Sequence, residues 1–132
     1  MALRIRLVEL KRKGLVNRWF GKVVSRGEVH TDDLARSICH ATSLTESDVK
    51  HAVDALVAEM TNRLQDGSTV VLDGFGRFHL TIQSDMVEKP EDYNLKKHVK
   101  RILCKFTPAG KRNQFDRHLE RPFIDGVDLV RG

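Results

Sequence analysis

The run from Asp66 to Phe78, DGSTVVLDGFGRF, constrains this chain more than any other stretch, because it must close a long helix, open a strand and bend sharply in between. Upstream of it, Val49, Ala52, Val53, Leu56, Val57, Met60 and Leu64 recur at three- and four-residue steps. That spacing predicts a helix over about residues 46–65 with one apolar face, while Lys50, Asp54, Glu59 and Arg63 take the other. Asp66-Gly67 ends it, since the residue just past a helix end often needs the left-handed conformation that glycine reaches freely. Thr69 to Leu72 then read as a strand. Gly74 and Gly76 let the backbone turn tightly around Phe75 and drop its ring into a core.

The flanking segments have equally distinct periods. Leu3, Ile5 and Leu7 alternate with Arg4 and Arg6, which predicts a half-buried strand with a basic outer face. Lys11 to Gly14 reads as a turn, and Val16 to Ser25, carrying Trp19, Phe20, Val23 and Val24, as a returning strand that completes an N-terminal β-hairpin. Thr31 is the expected N-cap of a short helix, with Asp32 and Asp33 at the positive end of its dipole and Leu34, Ala35, Ile38 and Cys39 on its apolar face. Thr45 with Asp48 resembles a capping box for the long helix. Beyond the glycines, Phe78, Leu80 and Ile82 alternate with Arg77, His79, Thr81 and Gln83 as a second strand of the sheet. Ser84 to Asn94 reads as a mobile polar loop holding Pro90, and Val99 to Phe106 as a third strand. Pro108 to Gly110 turns into a short last helix marked by Phe115 and Leu119, and the tail after Arg121 reads as an edge strand or a frayed extension.

Charge is segregated along the chain. The net formal charge of +5 resolves into +7 over residues 1–26, −8 over 27–95 and +6 over 96–132. Two basic segments around an acidic middle point to a surface facing a polyanion; scattered solvated lysines are the competing reading of charge alone. With 132 residues and 40% hydrophobic content, one domain with a real core is expected. Cys39 and Cys104 sit far apart inside apolar patterns and read as reduced, buried thiols, which makes a reducing cytoplasm the default. The N-terminus, MALRIRLVELKRK, has no apolar run long enough for a signal peptide or membrane span, so no membrane association is expected.

The order of helix, capped long helix, glycine turn, strand, GFGRF, strand, variable arm, basic strand, FTPAGK and short helix resembles the HU and integration-host-factor family over about residues 30–119. The preceding VVSRGEVHTDDLARSI is similar to the Bacteroides-type relatives of HU that carry an extra N-terminal strand region. The resemblance implies an α+β, IHF-like DNA-binding fold. It has two N-terminal helices, an antiparallel β-sheet with a variable arm and a short C-terminal helix, to which the N-terminal β-hairpin is added. In this reading residues 1–29 are an N-terminal extension, 30–120 the DNA-binding region and 121–132 a tail. It further implies a homodimer with no stable folded monomer, in which the long helix and Phe75, Phe78 and Phe106 form a shared core. The implied partner is duplex DNA and the implied location the cytoplasmic bacterial nucleoid, with no cofactor and no small-molecule substrate.

Candidate DNA contacts are Arg77, Lys96, Lys97, Lys100, Arg101, Lys105, Lys111 and Arg112, acting by charge neutralisation; Gly67, Gly74, Phe75, Gly76, Phe78 and Phe106 are structural turn and core positions. A solvated basic face with no ligand is the competing reading of the cationic set. For Gly74 and Gly76 a structural turn comes first, with backbone N–H groups against a phosphate as a second reading. Six phosphate contacts would give a slope of log affinity against log salt of roughly −5. No side chain is presented for base reading, so any sequence preference should be slight and follow DNA bendability. Departures from the family pattern are equally specific. The arm stretch QSDMVEKPEDYN lacks an Arg-Gly-Arg-Asn-Pro tip, Glu88, Glu91 and Asp92 repel phosphate, Thr107 stands where a basic residue is common, and Lys111 comes one residue late. A shortened or redirected arm, without intercalation by Pro90, is expected.

Catalysis finds no support. His30, His40, His51, His79, His98 and His118 lack metal-site spacing, and no GxSxG, GxxxxGK[ST] or GxGxxG motif occurs. A non-enzyme follows, with no metal. The leading function is an architectural, largely sequence-independent duplex-DNA binder; the alternative is a protein-interaction or scaffold module on the same fold that has lost DNA intercalation. RNA binding ranks below both, since only Tyr93 lies near the basic strand to stack on a base.

Overall fold

Alternation of apolar and cationic side chains at the N-terminus builds β1, Ala2–Leu10. The structure is a computed structural model describing residues 2–112 and 119–132. These divide into two compact units, one of the residues up to Glu46 together with Ile124–Gly132, the other Ser47–Phe123. In the first unit β2, Arg18–Val23, pairs antiparallel with β1 and sets Arg6 opposite Lys22 and Val8 opposite Phe20. Asn17 closes the turn by donating from Nδ2 to Glu9 Oε1 at 2.9 Å. The tail supplies β8, Asp128–Arg131, which joins the other edge of β1 in parallel, so that Leu3 faces Leu129. Of the two expectations for the tail, the edge strand is the one found.

Helix α1, Thr31–Ala41, begins one residue earlier in effect than expected. His30, not Thr31, is the N-cap, and the Asp33 carboxylate three residues on accepts the His30 N–H at 3.0 Å. The acid sets the start by reaching back, which leaves Thr31 as the first helical residue.

In the second unit the long helix α2, Glu46–Gln65, ends as its glycine requires. Gly67 has φ +91°, its N–H donates to the Leu64 carbonyl at 3.0 Å, and the Ser68 N–H donates to the Arg63 carbonyl at 3.0 Å. These are the two paired bonds of a left-handed helix terminus. The chain then forms β3, Val70–Leu72, β4, Gly76–Ser84, and β5, Val99–Pro108, an antiparallel sheet in the order β3-β4-β5. Phe78 and Phe106 face each other across the ladder with ring centroids 4.7 Å apart. Phe75 lies 5.9 Å from Phe78, 5.8 Å from Phe106 and 5.7 Å from Phe123, so one aromatic cluster organises the sheet's apolar face.

Beyond β4 the chain differs from expectation in three places. The polar stretch between β4 and β5 is tied at both ends. Tyr93 stacks on His98 at 5.4 Å and shares a 2.5 Å hydrogen bond with the Ser84 hydroxyl, and the Asp85 N–H donates to the His98 carbonyl at 2.8 Å. Asn94 caps a one-turn helix α3, Leu95–His98, accepting from Lys96 N at 2.9 Å and Lys97 N at 3.3 Å. Lys96 and Lys97 therefore sit on a helical turn ahead of β5, with their backbone N–H groups held by the Asn94 cap. Further on, β6, Lys111–Arg112, pairs with β7, Leu119–Glu120. Leu119 is thus in a strand, not in the expected last helix, and Phe115 lies outside the described residues.

Few apolar side chains are covered. Among the described residues only Ala35 and Val49 are buried hydrophobics, while Val57 of the α2 stripe is 56% exposed and Phe75 46%. Both cysteines are free, but Cys39 is half-buried and Cys104 exposed, against the expectation of buried thiols. Cys104 pairs with Leu80 on a sheet face that the described residues cover only in part. No helix of the described residues is long and apolar enough to cross a membrane.

Candidate nucleic-acid interface

Strand alternation sorts β4 and β5 into two unlike faces. The register places Arg77 opposite Thr107, His79 opposite Lys105, Thr81 opposite Leu103 and Gln83 opposite Arg101. Directly opposed residues share a face, so Arg77, Lys105 and Arg101 project together, and no carboxylate stands among their strand neighbours on that side. Arg101 Nε donates to Gln83 Oε1 at 2.8 Å, which lays its guanidinium along the sheet without neutralising it. All three cations are exposed. Phe78, Leu80, Ile82, Ile102, Cys104 and Phe106 occupy the reverse face.

The other proposed contacts separate from these three. A register shift between Gln83 and Ser84 leaves Lys100 out of the ladder, and its Nζ lies 3.1 Å from Asp85 Oδ2. Its charge is met by the chain's own carboxylate. Nothing in the strand pattern marks that bulge, so sequence reasoning had no signal for the pairing. Lys96 and Lys97 sit on α3, and Lys111 and Arg112 on β6, where Lys111 faces Glu120 in the ladder. The cationic set is thus one group of three on the β4–β5 face, one paired lysine at its end, and two separate pairs.

The glycines around Phe75 answer different needs. Gly74 has φ +75° and open space around it, while Gly76 is buried with φ +151°. A Cβ at Gly76 would collide with the Thr107 carbonyl oxygen and meet a Phe106 ring carbon at 2.6 Å. The Phe75 carbonyl also accepts the Ala109 N–H at 3.0 Å, fastening the turn to the end of β5. Phe75 itself is anchored by its aromatic neighbours. These contacts support the structural reading of the pair. Among the described residues no group of three His, Cys, Asp or Glu side chains is placed to hold a metal ion.

Residues 1–120 match the model of a family described as an HU domain fused to wHTH, Ig or glycine-rich motif. The chain is 46% identical over 48 residues to the DNA-binding protein HU of Thermus thermophilus, covering 36% of this chain and 50% of that one. Its fold is similar to a solved structure from Bacteroides vulgatus, a provisionally named bacterial DNA-binding protein. That match has a TM-score of 0.63 at 10% identity, over 98% of this chain and 47% of the other. The chain therefore spans about half the length of each of these relatives. Its mixed α+β fold is HU-like, and it belongs to the family of HU domains fused to wHTH, Ig or glycine-rich motifs.

Proposed function

We propose that this chain is an architectural, nucleoid-associated protein that binds duplex DNA with little sequence preference as a homodimer, and that it is not an enzyme. In this reading residues 30–120 carry the binding and the protein works in the bacterial cytoplasm. One observation carries it: Arg77, Arg101 and Lys105 share an exposed sheet face with no carboxylate among their strand neighbours, on an HU-like fold. Such a face neutralises phosphates, and each neutralised phosphate releases condensed counterion, which drives association whatever the base sequence. The relative from Thermus thermophilus is named for DNA binding and supports the same reading. The arm takes no intercalating role here, since Pro90 opens a short 3-10 turn followed by Glu91 and Asp92. Titration of a random-sequence duplex at low salt should yield a complex; if none forms, the scaffold alternative is favoured.

The homodimer follows from what one copy fails to cover. Among the described residues only Ala35 and Val49 are buried hydrophobics, and most other apolar side chains stay partly or largely exposed on a single copy. A second copy laid against the α2 stripe and the Phe75, Phe78 and Phe106 face would supply the missing burial. Thermal melting should then depend on protein concentration, Tm rising with each tenfold increase, and sedimentation should return twice the 15.1 kDa chain mass. A melting point independent of concentration, with a monomer mass, would contradict the dimer.

A further inference from the structure

The N-terminal sheet has a cationic face that the duplex reading does not use. In β1 and β2 the register puts Arg4, Arg6 and Val8 on the same side as Lys22, Phe20 and Arg18. Leu3, Ile5 and Leu7 take the reverse side, as the approach of the Ile5 side chain to Gly21 confirms. All four cations are exposed, and none has a carboxylate within ion-pair distance among the described residues. The acid on this side, Asp128, stands at the far end opposite Ala2. Phe20, 46% exposed, sits between Arg18 and Lys22 along β2.

Two features of this face conflict with simple stability. Arg6 and Lys22 are directly opposed, and like charges so placed destabilise a strand pair unless an anion lies between them. An aromatic ring left half open beside such a pair adds a second local cost, and costs of this kind concentrate where a site is built. Cations spaced along strands to follow a phosphate backbone, with an aromatic ring among them at the height of the bases, make a single-strand platform. A duplex would present only phosphates to this face, leaving the ring nothing to stack on.

We propose that the face formed by Arg4, Arg6, Arg18 and Lys22 around Phe20 binds single-stranded nucleic acid, with Phe20 stacking on an unpaired base. The site lies in the other compact unit from the duplex-binding face and stands independently of it. The test uses the full chain and fluorescently labelled oligo-dT, oligo-rU and a random duplex. In the single-stranded arms, R6Q/K22Q should weaken binding about tenfold and flatten the log–log salt slope by about 1.4, two contacts' worth for a single strand. F20L should weaken single-strand binding roughly tenfold with the slope unchanged, and F20Y should restore it, because a base stacks on any aromatic face. Duplex affinity should hold in all three variants. Stronger binding of oligo-dT or of oligo-rU identifies DNA or RNA as the source of the strand. Unchanged single-strand affinity in R6Q/K22Q or in F20L, or equal losses on duplex and single strands, overturns the proposal. Charge removal at Arg77, Arg101 and Lys105 should do the reverse, lowering duplex affinity alone, so a failure of either site is read separately.

Discussion

Gly76→Ala is expected to destabilise the folded protein by about 2–5 kcal/mol, the sum of a strained backbone and an overpacked neighbour. The backbone at Gly76 holds φ +151°, which side-chain-bearing residues rarely adopt. The added methyl would also strike the Thr107 carbonyl oxygen and the Phe106 ring. Neither neighbour gives way readily. Thr107 is fixed in the β4–β5 ladder opposite Arg77, and the Phe106 ring is stacked on Phe78. Gly74→Ala is the internal control: with φ +75° and open space, it meets the backbone penalty alone, about 1 kcal/mol or slightly more. Urea unfolding at one fixed protein concentration compares the two. Equal losses at the two positions would show that Gly76 is not pressed against β5.

Neutralising the sheet face should have the largest effect on binding. R77Q/R101Q/K105Q removes three exposed cations from each chain, six from the proposed homodimer, and is expected to lower random-duplex affinity at 100 mM salt by roughly a thousandfold or more. Glutamine keeps most of each stem, and none of the three side chains makes an ion pair among the described residues, so the fold should be retained. K100Q serves as the contrast, costing about threefold or less, because Asp85 already meets that charge at 3.1 Å. Electrophoretic shifts with one labelled duplex measure both. A K100Q loss as large as that of the triple variant would mean that Lys100 leaves Asp85 for the DNA.

Legibility of the fold in the sequence tracked how local its causes are. Elements set by side-chain period and glycine came out close to their observed limits: the alternation around Ile5, the α2 stripe ending at Gly67, and the strand through Phe78, Leu80 and Ile82. The same alternation revealed that Arg77 faces away from Phe78. What the pattern could not carry was competition between neighbours. His30 displaces Thr31 as cap because Asp33 reaches back, Asn94 draws Lys96 and Lys97 into a helical turn, and a bulge turns Lys100 onto Asp85. Expected burial of the cysteines went wrong for another reason, since period identifies the apolar face of an element but not whether the same chain covers it. Alternation marks Arg4 and Arg6 as a basic outer face, while only the register places Arg18, Phe20 and Lys22 on the same side.

The salt dependence of duplex binding tests the central claim most directly. The wild-type protein, titrated with a random duplex over a series of salt concentrations, should show log affinity falling against log salt with a slope of about −5, and R77Q/R101Q/K105Q, which removes six cations from the proposed homodimer, should bring it close to zero. A wild-type slope near zero, or one that the triple substitution leaves unchanged, would contradict neutralisation of phosphates by the β4–β5 face.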